Sequence, residues 1–436
     1  MKHPADVDAD VVVIGAGVAG LAAAVELRAA GVDVVVVEGR DRIGGRIHTI
    51  SRDDHGALPI ELGAEFLHGS APETRAIVHR HGLPLVDGVD ERIELRRGRV
   101  RALNDFGDEL GTLLGLATAD DRRGSFEAFL AREPGGAKLA VARRHLREFV
   151  CGFHAADPAV ASLRGIIDGT PDDDDALRSA RLLSGQSSIV DALLRDLAPL
   201  RVRTGHVVDV VQWRRGHVVV RGHVDGAAFT IRARRVLVTV PIGVLQTSLH
   251  IEPLPSAYVE AIAGLAMGHV VRFTFVFRTR FWVEALPRLA SSAFLQLAGD
   301  HPFNVWWTTA PVEAPQLVAW VGGPRAAALV GRAREAIIAD AISSLAQALD
   351  VDRARVVDEV VAVVGHDWSA DPFSHGAYSY VRVGGDDAAG VLSRPLASTL
   401  LFAGEATSTD GRGGTVDGAI ASGQRAARQL LGRRRR

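Results

Sequence analysis

One cysteine, two methionines, three tyrosines and two lysines are all that 436 residues contain of these types. Each scarcity excludes something. Cys151 by itself can form no internal disulfide and no thiolate metal cluster, so the sequence gives no support for secretion as a disulfide-stapled protein. No uninterrupted apolar stretch reaches the ~18 residues of a membrane span. Asp6, Asp8 and Asp10 precede the first apolar run, where a signal peptide has basic residues. A soluble, cytoplasmic protein without a membrane partner is expected. Neither sign of charge prevails: 50 basic against 52 acidic side chains leave −2, which gives no global attraction to nucleic acid. The tail Arg433 to Arg436 reads as a short solvated terminus. The 16 histidines show no HExxH or comparable ligand spacing, so no metal is expected. With lysine only at Lys2 and Lys138, 48 of the basic residues are arginine.

What is present is globular. The chain is 47% hydrophobic and 23% charged, and its length suggests two to three domains of roughly 150 residues each. Asp10 to Ile14 is a short β-branched run, followed by a helical pattern through Ala30, a stop at Gly31, and a second apolar run from Val32 to Val37 that ends at Glu38. This is a complete β-α-β unit. From Arg201 to Val240, short apolar runs broken by Gly205, Gly216, Gly222 and Gly226 predict a β-meander. Ala326 to Leu349 has helical spacing and predicts one long amphipathic helix. Leu400 to Ala403 predicts a last strand, and a helix follows from about Val416 to Leu431. Gly111 to Ser188, with a helical patch at Ala137 to Phe149 and the acidic run Asp172 to Asp175, reads as a helical insertion with a solvated loop.

The turn between the first strand and helix is Gly15-Ala16-Gly17-Val18-Ala19-Gly20. The first glycine makes the tight turn, the second lets a pyrophosphate close on the helix N-terminus, and the third packs helix on strand. Glu38, about 20 residues on, suits a ribose and repels a 2′-phosphate, so NADP is disfavoured. Arg40 and Gly44-Gly45-Arg46 add a second glycine pair and two guanidinium groups, which fits the larger FAD better than NAD.

Further strings extend this pattern along the chain. They are Val35 to Arg46, Glu61-Leu62-Gly63-Ala64-Glu65-Phe66-Leu67-His68-Gly69, Val236 to Leu245, and Met267-Gly268 with Phe281-Trp282. Trp368 to Phe373 with Gly376-Ala377-Tyr378-Ser379-Tyr380, and Phe402 to Thr407 with Thr415-Val416-Asp417-Gly418-Ala419, complete the set. In this order they resemble, nearly end to end, the flavin-containing amine oxidases. That superfamily includes monoamine, polyamine and L-amino acid oxidases and the histone lysine demethylases.

The resemblance implies an α/β fold: a Rossmann-like FAD-binding domain of the glutathione-reductase type with a β-meander, and an α+β substrate domain with a mixed sheet and helical insertion. The expected discontinuous boundaries are 1–75, 189–262 and 381–436 for the first, and 76–188 and 263–380 for the second. It also implies site roles. Gly15, Ala16, Gly17 and Gly20 form the nucleotide turn; Glu38 and Arg40 hold the adenosine ribose and Val207 contacts adenine. Gly44, Gly45 and Arg46 hold the pyrophosphate or approach the flavin, with Gly63, Ala64 and Glu65 beside it. Trp368 packs along the ring, and Gly404 and Glu405 reach the ribityl-phosphate. Thr415, Val416 and Ala419 bring a helix N-terminus to the N1/O2 edge. Ala377 stands where monoamine oxidases carry the cysteine that bonds to flavin, so FAD is expected to be non-covalent.

The implied reaction moves a hydride from the carbon next to an amine nitrogen to flavin N5, with O2 yielding H2O2. Tyr378 forms one wall before the flavin and Thr415 the other, with Trp306, Trp307 or Phe66 as candidates to complete it. Core packing is the alternative for these aromatics. Arg272 stands where the family has a lysine that binds water at N5; arginine drift and a real change in oxygen reactivity or substrate are both open. His68 either faces substrate or is an interior histidine, and Glu65 is a candidate for a second substrate ammonium. An FAD-dependent oxidoreductase of CH–NH or CH–NH2 donors is expected, with a small amine and O2 as partners. The alternatives are a desaturase or dehydrogenase of a non-amine, related to protoporphyrinogen oxidase or carotenoid desaturase, and a flavin-holding module without turnover. Oligomeric state is not indicated.

Overall fold

A computed structural model describes residues 7–50, 58–89, 91–103, 106–170, 178–199, 202–290 and 294–432. Asp6, the acidic run Asp172 to Asp175 and the tail Arg433 to Arg436 lie outside them.

The β-branched run Ala9–Ile14 is buried at all but one position, as a strand covered on both faces requires. It pairs in parallel with Val34–Val37 on one side and with the end of Ala227–Val238 on the other. Ala227–Val238 has two roles. Its first half closes an antiparallel meander with His217–Val224, which in turn pairs Val207–Arg214; its second half runs parallel to Ala9–Ile14 and to Leu400–Phe402. His250–Glu252 completes this seven-stranded sheet. The strands come from widely separated parts of the chain, and the hydrophobic runs alone do not reveal that the meander and the parallel unit share one sheet.

Helices Val18–Ala29 and Val416–Leu430 lie together on that sheet around Leu21, Leu27, Ile420 and Leu430. They approach closely because small residues meet: a Cβ added at Gly423 would sit 2.1 Å from the Ala19 carbonyl oxygen.

A second sheet, also of seven strands, is mixed. It runs through Val360–Val364, Val270–Phe277, Gln316–Gly322, Val305–Thr308, Phe294–Leu297, Arg92–Arg96 and Arg99–Ala102, with Phe294–Leu297 parallel to Arg92–Arg96. Helix Arg334–Leu349 covers it through Ile337, Ala341, Ile342 and Leu345, over Phe275, Phe277 and Trp306.

Two expectations need correction. The helical periodicity from Ala326 continues across a break: a short helix Gly323–Ala327 ends, Gly331 takes φ +80°, and the long helix begins only at Arg334. Periodicity alone does not register a left-handed glycine. The stretch 111–188 is helical at Phe126–Ala131, Ala140–Gly152 and Leu163–Gly169, but it also contains the strand Ser179–Leu182. That strand is sandwiched between Phe66–His68 and Leu85–Asp87 in a three-stranded sheet. Four residues after an acidic run were too short a signal to separate strand from coil.

A Gly423→Val substitution should force the two helices apart. The expected loss is roughly 1–3 kcal/mol, the usual cost of overpacking, read as a lower urea midpoint with a matching loss of bound flavin.

Candidate active site

A cavity of about 1590 Å³ runs between the two large sheets. That exceeds the ~300–1,000 Å³ of an ordinary small-ligand pocket and leaves room for a long cofactor and a second molecule. The site residues singled out in the sequence line it, except Ala16, Gly20 and Trp306.

Ala16 and Gly20 shape the wall from behind. The Ala16 N–H donates to Glu38 Oε2 at 2.8 Å, which turns the carboxylate toward the turn, while the Arg40 N–H donates to Oε1 at 3.0 Å. Gly20 sits against the Gly15 carbonyl, where a Cβ would be 2.0 Å from the oxygen. Gly15 takes φ +106°, and a Cβ there would strike Thr239 Oγ1 at 2.6 Å. Across the slot, a Cβ on Gly45 would lie 3.3 Å from Gly17 Cα. Helix Val18–Ala29 begins here with Gly17 as its N-cap, without a capping side chain and without an acid in its first turn. Its first N–H groups therefore suit an anion from outside the helix.

Arg40 differs from the expectation that its charge is held for the cofactor. Its guanidinium donates to Asp371 Oδ1 at 2.6 Å and Ser374 Oγ at 3.0 Å, and His366 Nε2 lies 2.9 Å from the other Asp371 oxygen. Arg40 lines the cavity, but as a tie between the β-α-β unit and the 366–374 segment. Burial works against the Asp371 anion, but His366 and Arg40 outweigh it and hold the carboxyl down at about 2.

Arg46 is paired too. It donates to Glu405 Oε1 and to the Ala377 carbonyl, each at 2.8 Å. Glu405 also accepts from Ser379 Oγ at 2.7 Å and from the Gly414 N–H at 3.1 Å. One buried carboxylate thus fixes four segments of the wall. Gly404, with φ +124°, lets the chain turn into it. Thr415 caps the last helix: its hydroxyl accepts from the Gly418 N–H at 2.9 Å and donates to the Arg412 carbonyl at 2.7 Å. It is on the wall, with its hydroxyl committed to the helix. Trp368 donates to the Leu62 carbonyl at 2.8 Å, and Gly63 lies against its ring. Val207 lines the far end beside His206 and Asp209.

The opposite end is an aromatic chamber. Tyr378 packs on Gly414, and its hydroxyl donates to the Phe153 carbonyl at 2.5 Å, while burial raises the phenol's pKa. Phe66 meets His68, Phe294 and Trp307 at centroid distances of 5.8, 5.7 and 5.8 Å. His68 meets Phe153 edge-on at 5.6 Å. The adjacent tryptophans separate as strand alternation requires: Trp307 faces the chamber, and Trp306 is fully buried against Phe275 in the other core.

Behind Phe66 lies the main electrostatic feature. Glu65, 6% exposed, is ion-paired with both Arg181 and Arg272, and its oxygens accept from Trp307 Nε1 at 3.1 and 3.2 Å. Burial alone would raise the Glu65 pKa, but Arg181 and Arg272 outweigh it and hold the carboxyl below its usual range. Burial pulls the Arg272 pKa down against the attraction of Glu65. A guanidinium stays charged in either case. Arg272 also donates to the Gly63 carbonyl at 2.6 Å, and its buried Nε–H has no partner among the described residues. Glu65 is therefore not an open counter-charge for a substrate ammonium. Arg181 and Phe153 were not foreseen. Phe149 and Phe153, four residues apart and stacked at 4.8 Å, left a faint helical-spacing signal; Arg181 left none.

The glycine slot, the uncapped helix, the orphaned Arg272 donor and the length of the cavity together fit a flavin dinucleotide. Among the described residues no group of three potential metal ligands occurs, and no helix is long and apolar enough to cross a membrane.

A family model for flavin containing amine oxidoreductase matches residues 18–431. The chain is similar to Polyamine oxidase 3 of Oryza sativa subsp. japonica, 30% identical over 96% of this chain and 88% of that one. It is 29% identical to a flavin-dependent L-tryptophan oxidase of Lentzea aerocolonigenes over 96% and 97%. Among solved structures, wild-type putrescine oxidase bound to putrescine superposes with TM-score 0.81 at 23% identity, covering 98% and 99% of the two chains. Cyclohexylamine oxidase from Brevibacterium oxydans IH-35A gives 0.81 at 21% over the same shares. These last two likenesses are of fold.

Two outcomes are expected. Burial, with Arg92 adding to it, pushes the His68 pKa down to about 4, and burial does the same to His154. Between about pH 6.5 and 4 the unfolded chain therefore takes up protons that the native rings refuse, and stability falls as pH falls through that window. His68→Gln and His154→Gln should each flatten the slope of urea midpoint against pH. Gly45→Val, which would fill the slot at φ +61°, should abolish flavin retention, read as the ratio of 450 to 280 nm absorbance, with far-UV circular dichroism preserved.

Proposed function

Because the chain belongs to the flavin-containing amine oxidoreductase family, we propose that it oxidises an amine at the carbon next to nitrogen. The imine formed is hydrolysed to an aldehyde or ketone, and O2 leaves as H2O2. Flavin-dependent amine oxidation is the family's chemistry, and FAD is the cofactor; the route and substrate are the proposal. When bound, FAD supplies the hydride acceptor at N5 and passes two electrons on to O2.

The observation that carries this reading is that the glycine slot and the aromatic chamber are one continuous cavity. The slot orients a dinucleotide, and the chamber presents rings to whatever lies at its end. An alkylamine, with lysine as its model at pKa ~10.4, is mostly charged at neutral pH, and only the neutral form has the lone pair the reaction needs. Stabilising that form costs about 4 kcal/mol for ~3 pH units. An apolar chamber contributes by disfavouring the ion. The two guanidiniums around Glu65 contribute in the same direction, since a surplus positive charge repels an ammonium. Tyr378 and the rings opposite it exclude water and hold the carbon bearing the hydride. In this reading Arg272, held by the Gly63 carbonyl and Glu65, sets a fixed positive charge beside the reacting end and does not act as a base.

The same reading assigns residues 1–75, 189–262 and 381–436 to cofactor binding and 76–188 and 263–380 to substrate. It takes the cytoplasm as the setting, with a small amine and O2 as partners.

Anaerobic addition of amines should bleach the flavin, and aeration should restore it with release of H2O2. Bleaching only by non-amines would favour the desaturase reading, and none across a broad panel would sink turnover altogether. Arg272→Ala should slow flavin reduction or reoxidation by roughly an order of magnitude or more, the scale of a lost active-site donor. Unchanged rates in both half-reactions would remove Arg272 from the reacting end.

A further inference from the structure

The buried carboxylates beside the aromatic chamber are engaged. Glu65 gives both oxygens to Arg181, Arg272 and the Trp307 indole. Glu148, next to Phe149, accepts from Arg325 at 2.5 Å and Asn304 at 2.6 Å. Asp168 is solvent-exposed and lies 3.5 Å from Arg164. Around Glu65 two permanent cations face one anion. Glu61, held by the Thr49 hydroxyl and the Gln186 N–H at 2.7 Å each, is raised by burial to about 7, so at neutral pH it supplies only part of a second negative charge.

A chamber with this balance treats amines unequally. A substrate with one nitrogen can shed its proton on entry and lay an apolar body against Phe66, Phe153 and Trp307. A diamine cannot do so at both ends without a large cost, and its distal ammonium would have to compete with two guanidiniums for the one buried carboxylate.

We propose that Arg181 sets substrate class: by closing the second ion pair on Glu65 it confines the enzyme to amines with a single basic nitrogen, and excludes di- and polyamines. This rests on the amine-oxidase reading above and deepens it. Arg181 reaches its place from the strand Ser179–Leu182, with its guanidinium 5.0 Å from the centre of the Phe66 ring and its NH2 group 3.4 Å from the Thr308 carbonyl. It is not among the residues lining the cavity and acts through Glu65 as a positioning residue.

The test uses matched substrates on the FAD-loaded enzyme. Anaerobic stopped-flow reduction gives the ratio of limiting rate to Kd for pentylamine against 1,5-diaminopentane and for cyclohexylamine against 1,4-diaminocyclohexane. In the wild type each monoamine should exceed its partner at least 100-fold. Arg181→Gln should narrow the monoamine-to-diamine gap at least tenfold, and Arg181→Lys, which keeps the charge, should restore it. A diamine that matches its monoamine in the wild type overturns the proposal. So does an Arg181→Gln enzyme that holds FAD with an unchanged gap. If Arg181→Gln fails to fold, the wild-type pairs and Arg181→Lys still decide. Reduction by dithionite but by no amine would instead defeat the amine-oxidase reading itself, and is distinguishable from all of these.

Discussion

The structure depends on a carboxylate that burial should have made untenable. An isolated Glu65 in a dry chamber would be protonated. It persists as an anion because three strands from two sheets converge on it: Ser179–Leu182 brings Arg181, Val270–Phe277 brings Arg272, and Val305–Thr308 brings Trp307. Gln186 holds its backbone carbonyl at 3.1 Å. Removing one partner of such a group costs about 3–5 kcal/mol, because what remains is a buried charge without compensation. The chamber's geometry and its electrostatics therefore share one origin, and neither can vary without the other.

Around that centre the cavity wall is made by a different physical device, the close approach of backbones. Gly15, Gly17, Gly44 and Gly45 bring main chain to within reach of a cofactor where any side chain would fill the space. Two ion pairs then clamp this wall to distant segments, Arg40 to Asp371 and Arg46 to Glu405. Both arginines belong to the glycine-rich opening of the chain, and both partners lie more than 300 residues later.

The cofactor half was legible because it is encoded locally. A strand, three glycines at fixed spacing, a helix and a terminal acid lie within 30 residues, and each follows from a backbone requirement. The substrate half was legible only as resemblance. The tryptophan pair was legible only as two candidates with core packing as the alternative, since alternation fixes opposition but not direction. Thr415 was placed on the correct helix end, but the cap that occupies its hydroxyl depends on a turn the spacing does not specify. Arg40 and Glu65 carried charge that looked available. Their partners, Asp371 and Arg181, are supplied by tertiary contacts far along the chain, and no local pattern announces such a pairing. Arg181 lies in a four-residue strand just past an acidic run of the sequence, where neither periodicity nor composition separates it from its surroundings.

The long strand Ala227–Val238 lies at the middle of one sheet and is paired by Ala9–Ile14 from the beginning of the chain and by Leu400–Phe402 from near its end. The cavity follows the same plan, with Gly15 and Thr415 on one wall. During synthesis the β-α-β unit leaves the ribosome hundreds of residues before the segments that complete its pocket. The glycine turn must wait, exposed, for the last helix, and cofactor loading is an event of the finished chain rather than of its first domain.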